Sequence, residues 1–304
     1  DNQDIYINKN VALIHTRLSI QDLALGNQPF HHNNLTIIFN GEIYNHQKLR
    51  LDYLKNIQFK TQSDTETLLL LYIEYGHEMF DMIDGMFAFA IYDSDNSKVI
   101  IARDRIGKKP LYIYTNGSDL MFSSELIGIK AAIKDLDINE EAVSSYLRTG
   151  FFFRHHTPYT DIEEVEAGSV YEIDIKDLSI TKNRFFNLKK FYNCQSGKTL
   201  TESVKQLDYL LDKSIKDRLV SSDIEVGAFL SGGIDSGLIV AIASKYQEQL
   251  KTFTVKFDGA YDESSLAWLV SNRYGTEHYE IEIELDLKND IEKILLYYGQ
   301  PFMD

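Results

Sequence analysis

The sequence predicts two regions of different class: a strand-rich α+β region followed by an α/β region on a parallel sheet. Up to residue 192, short runs of β-branched and aromatic residues dominate, with few helical stretches among them. From residue 201 to 304, strand-like and helix-like runs alternate, as in right-handed βαβ units. The polar stretch 193–200 between them reads as a linker. The predicted domains are therefore 1–192 and 201–304.

In the first region the predicted strands are Val11 to Ile20, Leu35 to Phe39, Met86 to Tyr92, Lys98 to Ala102, Leu111 to Tyr114 and Val170 to Ile175. A helix is expected over Asp64 to Met82, where Leu68, Leu69, Tyr72, Ile73 and Met79 recur at helical spacing. A second helix, Asn139 to Leu147, opens on Glu140 and Glu141, the charge that a helix N-terminus prefers. After the linker come an amphipathic helix over Leu200 to Val220, a strand over Ile224 to Leu230 and a helix over Gly237 to Gln247. A strand over Lys251 to Phe257, a helix over Glu263 to Tyr274 and a strand over His278 to Ile283 complete the pattern. Ligands of such sheets bind beyond the carboxyl ends of the strands.

The 31 basic and 46 acidic side chains leave a net charge of −15, which argues against a general nucleic-acid or membrane-surface binder. The one cysteine, Cys194, excludes an internal disulfide and a cysteine metal cluster, and fits a reducing cytoplasm. It sits in a loop with no neighbour to activate it and is expected to be an incidental thiol. No apolar run approaches the ~18 to 20 residues that span a bilayer. There is no signal-peptide pattern at the start. The chain opens without Met, closes on Phe302-Met303-Asp304, and reads as cut at both ends.

The most informative segment is Ser231-Gly232-Gly233-Ile234-Asp235-Ser236, set between a strand-like and a helix-like run. Free backbone N–H groups and the positive dipole end of the helix make an anion site there. Gly232 and Gly233 allow a phosphate to come close, and Ser231, Ser236 and Asp235 add polar handles. The loop lacks the Gly-Lys-Ser/Thr ending of a Walker A motif and the third glycine of a dinucleotide fingerprint. Its pattern resembles the pyrophosphate loop of ATP pyrophosphatases. Asp235 is the candidate Mg²⁺ ligand, since Mg²⁺ takes one or two carboxylates plus phosphate oxygens. A plain strand-to-helix turn and a simple helix-capping role for Asp235 are the bland readings. Asp262-Glu263-Ser264 reads as a helix cap.

In the first region, Asn40-Gly41-Glu42-Ile43-Tyr44-Asn45 ends a strand. The Asn40 amide and the Gly41 N–H can both donate to one oxyanion, although Asn-Gly is also a common turn. Arg17 supplies a cation at a strand end, and Asp64 opens a helix with a carboxylate. An amino-acid ligand needs that pair, one charge for its carboxylate and one for its ammonium. A surface arginine and a helix N-terminal carboxylate are the bland alternatives.

These segments follow one another in a family order: Arg17-Leu18-Ser19-Ile20, Asn40 to Asn45, Ser63-Asp64, Gly85 to Ala90, and Arg103 to Tyr112. The pyrophosphate loop, Tyr261-Asp262-Glu263-Ser264, Gly275-Thr276-Glu277-His278 and Pro301-Phe302 continue it. The chain resembles the glutamine-dependent asparagine synthetases with a class II glutaminase domain. The resemblance implies an N-terminal-nucleophile αββα sandwich joined to an ATP-pyrophosphatase α/β domain. It implies that Arg17 binds the α-carboxylate of glutamine and Asp64 its α-ammonium. Glu42 helps at the amino-acid end, and Asn40 and Gly41 form the oxyanion hole. Leu230 and the Val255 backbone would line the ATP pocket. The implied reaction takes aspartate, ATP and glutamine-derived ammonia to asparagine, AMP and pyrophosphate with Mg²⁺. A cytoplasmic homodimer is implied by the same resemblance.

The family's N-terminal cysteine nucleophile is not in this sequence, so this chain alone is expected not to hydrolyse glutamine. The family's second ATP-site segment also falls beyond Asp304. Gly237 stands where relatives often carry a serine, and Gly299-Gln300 where they often carry Asp-Glu. Two other functions stay open on the sequence. One is amidation of a different carboxylate, a sugar acid or a β-lactam-type ring closure. The other is a non-catalytic chain that binds a nucleotide or amino acid.

Overall fold

The computed structural model describes every residue except 1, 193, 195, 196, 258, 260, 261, 285 and 302–304. Tyr261 and Phe302, quoted above for the family pattern, and Asn193 of the linker lie outside the described residues. The chain forms two compact units, residues 1–193 with 288–304, and residues 194–287.

The first unit opens with an antiparallel hairpin, β1 (Asn2–Asn8) and β2 (Val11–Arg17). Next come β3 (Phe30–His32), β4 (Leu35–Ile43), α1 (His46–Tyr53), α2 (Asp64–Tyr75), α3 (Met79–Met82), β5 (Gly85–Asp93) and β6 (Lys98–Arg103). They are followed by β7 (Tyr112–Thr115), β8 (Leu120–Ser123), α4 (Leu126–Ala132), α5 (Glu140–Thr149) and β9 (Ile162–Glu164). The remaining elements before the second unit are β10 (Ser169–Asp174), β11 (Ile180–Arg184) and the short α6 (Lys189–Tyr192). One six-stranded antiparallel sheet, in the order β11-β10-β6-β5-β4-β3, carries the unit, and β8-β7-β9 form a smaller one.

The central strands β5 and β6 are buried on both faces, so they read as continuous apolar runs rather than alternating ones. Along β5, Phe87, Phe89 and Ile91 face one core and Ala88, Ala90 and Tyr92 the other, the period of two that a strand imposes. The first core joins the sheet to α1, α2 and α3 through Leu49, Leu68 and Phe80. The second joins it to Leu13 of β2 and Ile113 of β7. The first eight residues of α2 are all buried, Leu68 to Leu71 included, which is why this helix shows apolar residues all round. Each such leucine contributes roughly 1.5–3 kcal/mol by leaving water.

The second unit contains α7 (Leu200–Val220), β12 (Ala228–Phe229), α8 (Ile234–Ala243), β13 (Lys251–Lys256), α9 (Ser264–Tyr274) and β14 (Glu277–Glu282). A last helix, α10 (Leu287–Tyr298), begins at the unit boundary, with residues 288–304 belonging to the first unit. The strands β12, β13 and β14 are parallel and lie in chain order. A capping box closes the start of α7, Thr199 accepting from Glu202 N–H and Glu202 accepting from Thr199 N–H. The core of this unit gathers Ile215, Leu230, Val240, Ile242, Leu250 and Ala267.

Four expected elements are corrected. The helix over Asp64 to Met82 breaks at Gly76, whose φ of 50° is left-handed and stops α2 before a 3₁₀ turn and α3. The strand over Val11 to Ile20 ends at Arg17, which pairs with Asn2 of β1. The strand expected over Ile224 to Leu230 shrinks to Ala228–Phe229, the two residues that pair with Thr252 and Phe253. The helix expected over Gly237 to Gln247 starts earlier, at Ile234, and stops at Ala243.

Candidate amino-acid and anion sites

In the first unit the ends of β2 and β4 and the start of α2 bring Arg17, Glu42 and Asp64 into one hydrogen-bonded cluster. Arg17 is 6% exposed, so the surface reading of this residue is wrong. Its Nη2 donates to the carbonyls of Gln21 (2.7 Å) and Asp22 (2.8 Å), and its Nη1 to Asn27 Oδ1 (3.2 Å). A guanidinium has five N–H donors, more than the three acceptors this loop offers. The loop wraps the cation closely: a Cβ on Gly26 would stand 2.5 Å from Arg17 Nη2.

Asp64 is the first residue of α2 and is 5% exposed. Its Oδ2 accepts from the Ile43 N–H at 2.9 Å, while the preceding Ser63 caps the helix by accepting from Thr65 N–H at 3.1 Å. Burial pushes the Asp64 carboxyl up to about 7, and the negative charge of Glu42 adds to the rise. Hydrogen bonds from Ile43, Thr65 and Ser63 oppose it without cancelling it. An ammonium beside this carboxyl would favour its ionised form.

Asn40, Gly41 and Glu42 are consecutive on β4, so Asn40 and Glu42 share one side of the strand and Gly41 faces the other. Asn40 Nδ2 donates to Ser124 Oγ at 3.3 Å, which holds the amide beside the end of β8. Gly41 is required sterically. A Cβ there would lie 2.1 Å from the Met86 carbonyl oxygen on the paired strand. Gln21 Nε2 donates to Glu42 Oε1 at 3.3 Å and so links the Arg17 loop to β4.

Several residues that support this cluster carry no motif. Arg50, on α1, donates to Thr61 O at 2.9 Å, to Ser63 O at 2.5 Å and to Thr67 Oγ1 at 2.6 Å. Glu66, 1% exposed, accepts from the N–H groups of Lys60 (2.8 Å) and Thr61 (2.7 Å). Together they fix the backbone just ahead of Asp64. The Arg103 to Tyr112 segment proves to be a built turn. Buried Asp104 accepts from the N–H groups of Phe87, Ile106, Lys108 and Lys109, and Arg103 pairs with Glu164 at 2.8 Å.

In the second unit the Ser231 to Ser236 loop follows β12 and ends in α8. Leu230 is 1% exposed and joins the loop to the sheet, its N–H donating to Phe253 O at 2.8 Å and its carbonyl accepting from Thr254 Oγ1. Ser231 Oγ and Ser236 Oγ are 2.9 Å apart. Ser236 Oγ also lies within hydrogen-bond reach of Ser231 O (2.9 Å) and Gly233 O (3.2 Å). The hydroxyls thus close the loop onto the first turn of α8. The N-cap is Gly233, which has no capping side chain, so the first-turn N–H groups meet none from that position. Gly232 is sterically required, because a Cβ would lie 2.7 Å from Leu266 Cβ on α9.

Asp235 is exposed in the first turn of α8. Among the described residues no group of three or more His, Cys, Asp or Glu could hold a metal ion. A single carboxylate still fits Mg²⁺, which completes its shell with phosphate oxygens and water. Val255 is half-exposed on β13 beside Ile281 of β14. Asp262 accepts from the N–H and hydroxyl of Ser264, at 3.1 and 2.9 Å, one residue ahead of Glu263, the N-cap of α9, which has no side-chain cap hydrogen bond. Cys194 is exposed.

Comparison with known proteins gives the family of the chain. A sequence model of the glutamine amidotransferase domain matches residues 1–186, and one of asparagine synthase matches residues 206–304. The chain belongs to the glutamine amidotransferase domain family and continues into an asparagine synthase segment. It is 34% identical to asparagine synthetase [glutamine-hydrolyzing] 1 of Bacillus subtilis over 312 residues, covering 100% of this chain and 48% of that protein. It is also 34% identical to asparagine synthetase B [glutamine-hydrolyzing] of Escherichia coli over 315 residues, covering 98% of this chain and 51% of that protein. The chain thus spans about half the length of these two relatives. Among solved structures, a glutamine phosphoribosylpyrophosphate amidotransferase from B. subtilis aligns at a TM-score of 0.41 and 18% identity, covering 96% of this chain and 75% of that one.

Proposed function

We propose that the protein of which this chain forms part is a glutamine-hydrolysing asparagine synthetase, making asparagine from aspartate with ATP and glutamine-derived ammonia. The observation that carries the reading is the burial of a cation, Arg17, and a carboxyl, Asp64, in one hydrogen-bond network at the end of β4. Such a pair matches the two charges of a free amino acid. In this reading Arg17 takes the α-carboxylate of glutamine, and Asp64 with Glu42 takes the α-ammonium. Asn40 Nδ2 and the Gly41 N–H donate to the oxygen that gains charge when the side-chain amide is attacked.

The second half-reaction belongs to the 231–236 loop. Its backbone N–H groups and serines hold pyrophosphate, Leu230 and the Val255 backbone border the nucleotide, and Asp235 is the protein ligand for Mg²⁺. Mg²⁺ bound there would neutralise phosphate charge as the acceptor carboxylate is adenylated. Residues 1–192 and 201–304 are proposed as the two functional domains. A cytoplasmic homodimer belongs to the same proposal. Among the described residues no helix is long and apolar enough to cross a membrane.

The test is pyrophosphate release by the full-length protein with ATP, Mg²⁺ and ammonia across a set of carboxylates. Release that depends on aspartate is the expected result. Release with another acid but not with aspartate would replace the acceptor, and no release with any acid would overturn the enzymatic reading.

A further inference from the structure

Five hydrogen bonds close a ring around the Arg17–Asp64 pair. Arg17 Nη2 donates to Gln21 O at 2.7 Å. The Gln21 side chain donates to Glu42 at 3.3 Å, and the next residue, Ile43, donates its N–H to Asp64 at 2.9 Å. From Asp64 the chain runs back through Ser63 to Gln62, whose N–H donates to Asp22 Oδ2 at 2.7 Å. The Asp22 carbonyl accepts from Arg17 Nη2 at 2.8 Å and completes the circuit.

One residue in the ring serves both arms. The Asp22 carbonyl meets the cation, and the Asp22 carboxylate meets the segment that leads into Asp64. The other Asp22 oxygen, Oδ1, accepts from Leu25 N–H at 3.0 Å and shapes the loop that wraps Arg17. Asp22 holds a φ of 43°, a left-handed conformation that Asp tolerates better than most residues. The far side of the 61–63 segment is already fixed by Arg50 and Glu66. The Asp22–Gln62 bond ties that fixed segment directly to the Arg17 loop, and Gln28 Nε2, donating to Thr65 Oγ1 at 3.3 Å, adds a link one residue past Asp64.

We infer that Asp22 is a positioning residue for the amino-acid end of glutamine. It sets the separation between the group that takes the α-carboxylate and the group that takes the α-ammonium. This rests on the glutamine reading above. A ligand with both charges on one carbon needs that separation fixed to within a fraction of an ångström. Asp22 touches neither charge of the ligand, so its removal should weaken binding more than turnover.

The variant of choice is Asp22→Gly, because glycine removes the carboxylate while keeping the left-handed backbone unstrained. In the full-length protein, glutamate release from glutamine should show KM raised about tenfold and kcat within about threefold, the scale of one lost hydrogen bond to a charged group. Asp22→Asn keeps an acceptor for Gln62 and should recover most of the KM. Gln21→Met cuts the ring at a different bond and should raise KM in the same way. Near-ultraviolet circular dichroism of the tyrosines, most of which lie in the first unit, reports whether the variants are folded there. A glutamine KM for Asp22→Gly within twofold of wild type, or a loss confined to kcat, would overturn the inference while leaving the glutamine reading intact. A wild-type protein that releases no glutamate from glutamine would overturn both.

Discussion

Asp64→Asn offers a measurement that separates the needs of folding from those of binding. The Asp64 carboxyl rises from 3.8 to about 7 because it is buried, next to Glu42 and nearly sealed from water. Each pKa unit corresponds to ~1.4 kcal/mol, so ionised Asp64 destabilises the ligand-free fold by about 4 kcal/mol. The sign follows from proton binding. Between pH 4 and 7 the folded chain holds a proton that the unfolded chain has released, so stability falls as pH rises through this window. Below it, Asp64 is neutral in both states and the stability is fully present. Asparagine keeps an acceptor for Ile43 N–H and carries no charge. Denaturant unfolding followed by near-ultraviolet circular dichroism of the tyrosines should show Asp64→Asn close to wild type at pH 4. At pH 8 it should be more stable, by a margin approaching that ~4 kcal/mol. The one tryptophan, Trp268, lies in the second unit and supplies a control signal. The same variant should lose glutamine binding, since a neutral amide cannot pair with an ammonium. If Asp64→Asn were destabilised equally at pH 4 and pH 8, burial would not be setting the protonation of Asp64 and the account would fail.

Three further outcomes are expected. Asp235→Ala should abolish pyrophosphate release while glutamine hydrolysis survives, and Arg17→Ala should do the reverse; joint loss at equal stability, seen in paired assays, would contradict two separable sites. Gly232→Ala puts a methyl 2.7 Å from Leu266 Cβ and forces the loop or α9 to move; its KM for ATP should rise at least about tenfold, on the scale of a strained, displaced contact. Gly237→Ser should be tolerated, because the nearest atom to a Cβ there is Val270 Cγ2 at 3.7 Å; its thermal midpoint should stay within about 2 °C of wild type, as for an unstrained substitution at an open site.

Much of the site was legible because its parts are local. Ser63 and Asp64 announce a helix start by residue type, and Ser231 to Ser236 announce a strand-to-helix loop by composition. The α/β rhythm of the second region follows from alternating runs, and its parallel order appears as expected. What escaped was non-local. The β1 strand has a short apolar run, Ile5 to Ile7, between polar residues, and only its pairing with β2 shows it as a strand. The break in the helix rests on one left-handed glycine, Gly76, inside an otherwise helical pattern. Arg50, Glu66 and Asp22 meet their partners across turns, so no spacing in the chain marks them. The sequence offers Arg17 as a ligand cation but cannot show that a loop folds back over it.

The close approach at Gly41 bears on how mutational tolerance should be interpreted. The paired strand leaves no room for any side chain at that position, whether or not the chain has a substrate. A scan scored by protein abundance would therefore find position 41 intolerant, and so would a scan scored by growth on ammonia alone. Asp64 would behave in the opposite way: abundance would accept or even favour its neutral replacement, and only dependence on glutamine would expose the loss. Invariance among relatives cannot tell these two residues apart, whereas the difference between the two scores can. Side by side on one strand end and one helix start, they mark where architecture ends as a constraint and where the ligand begins.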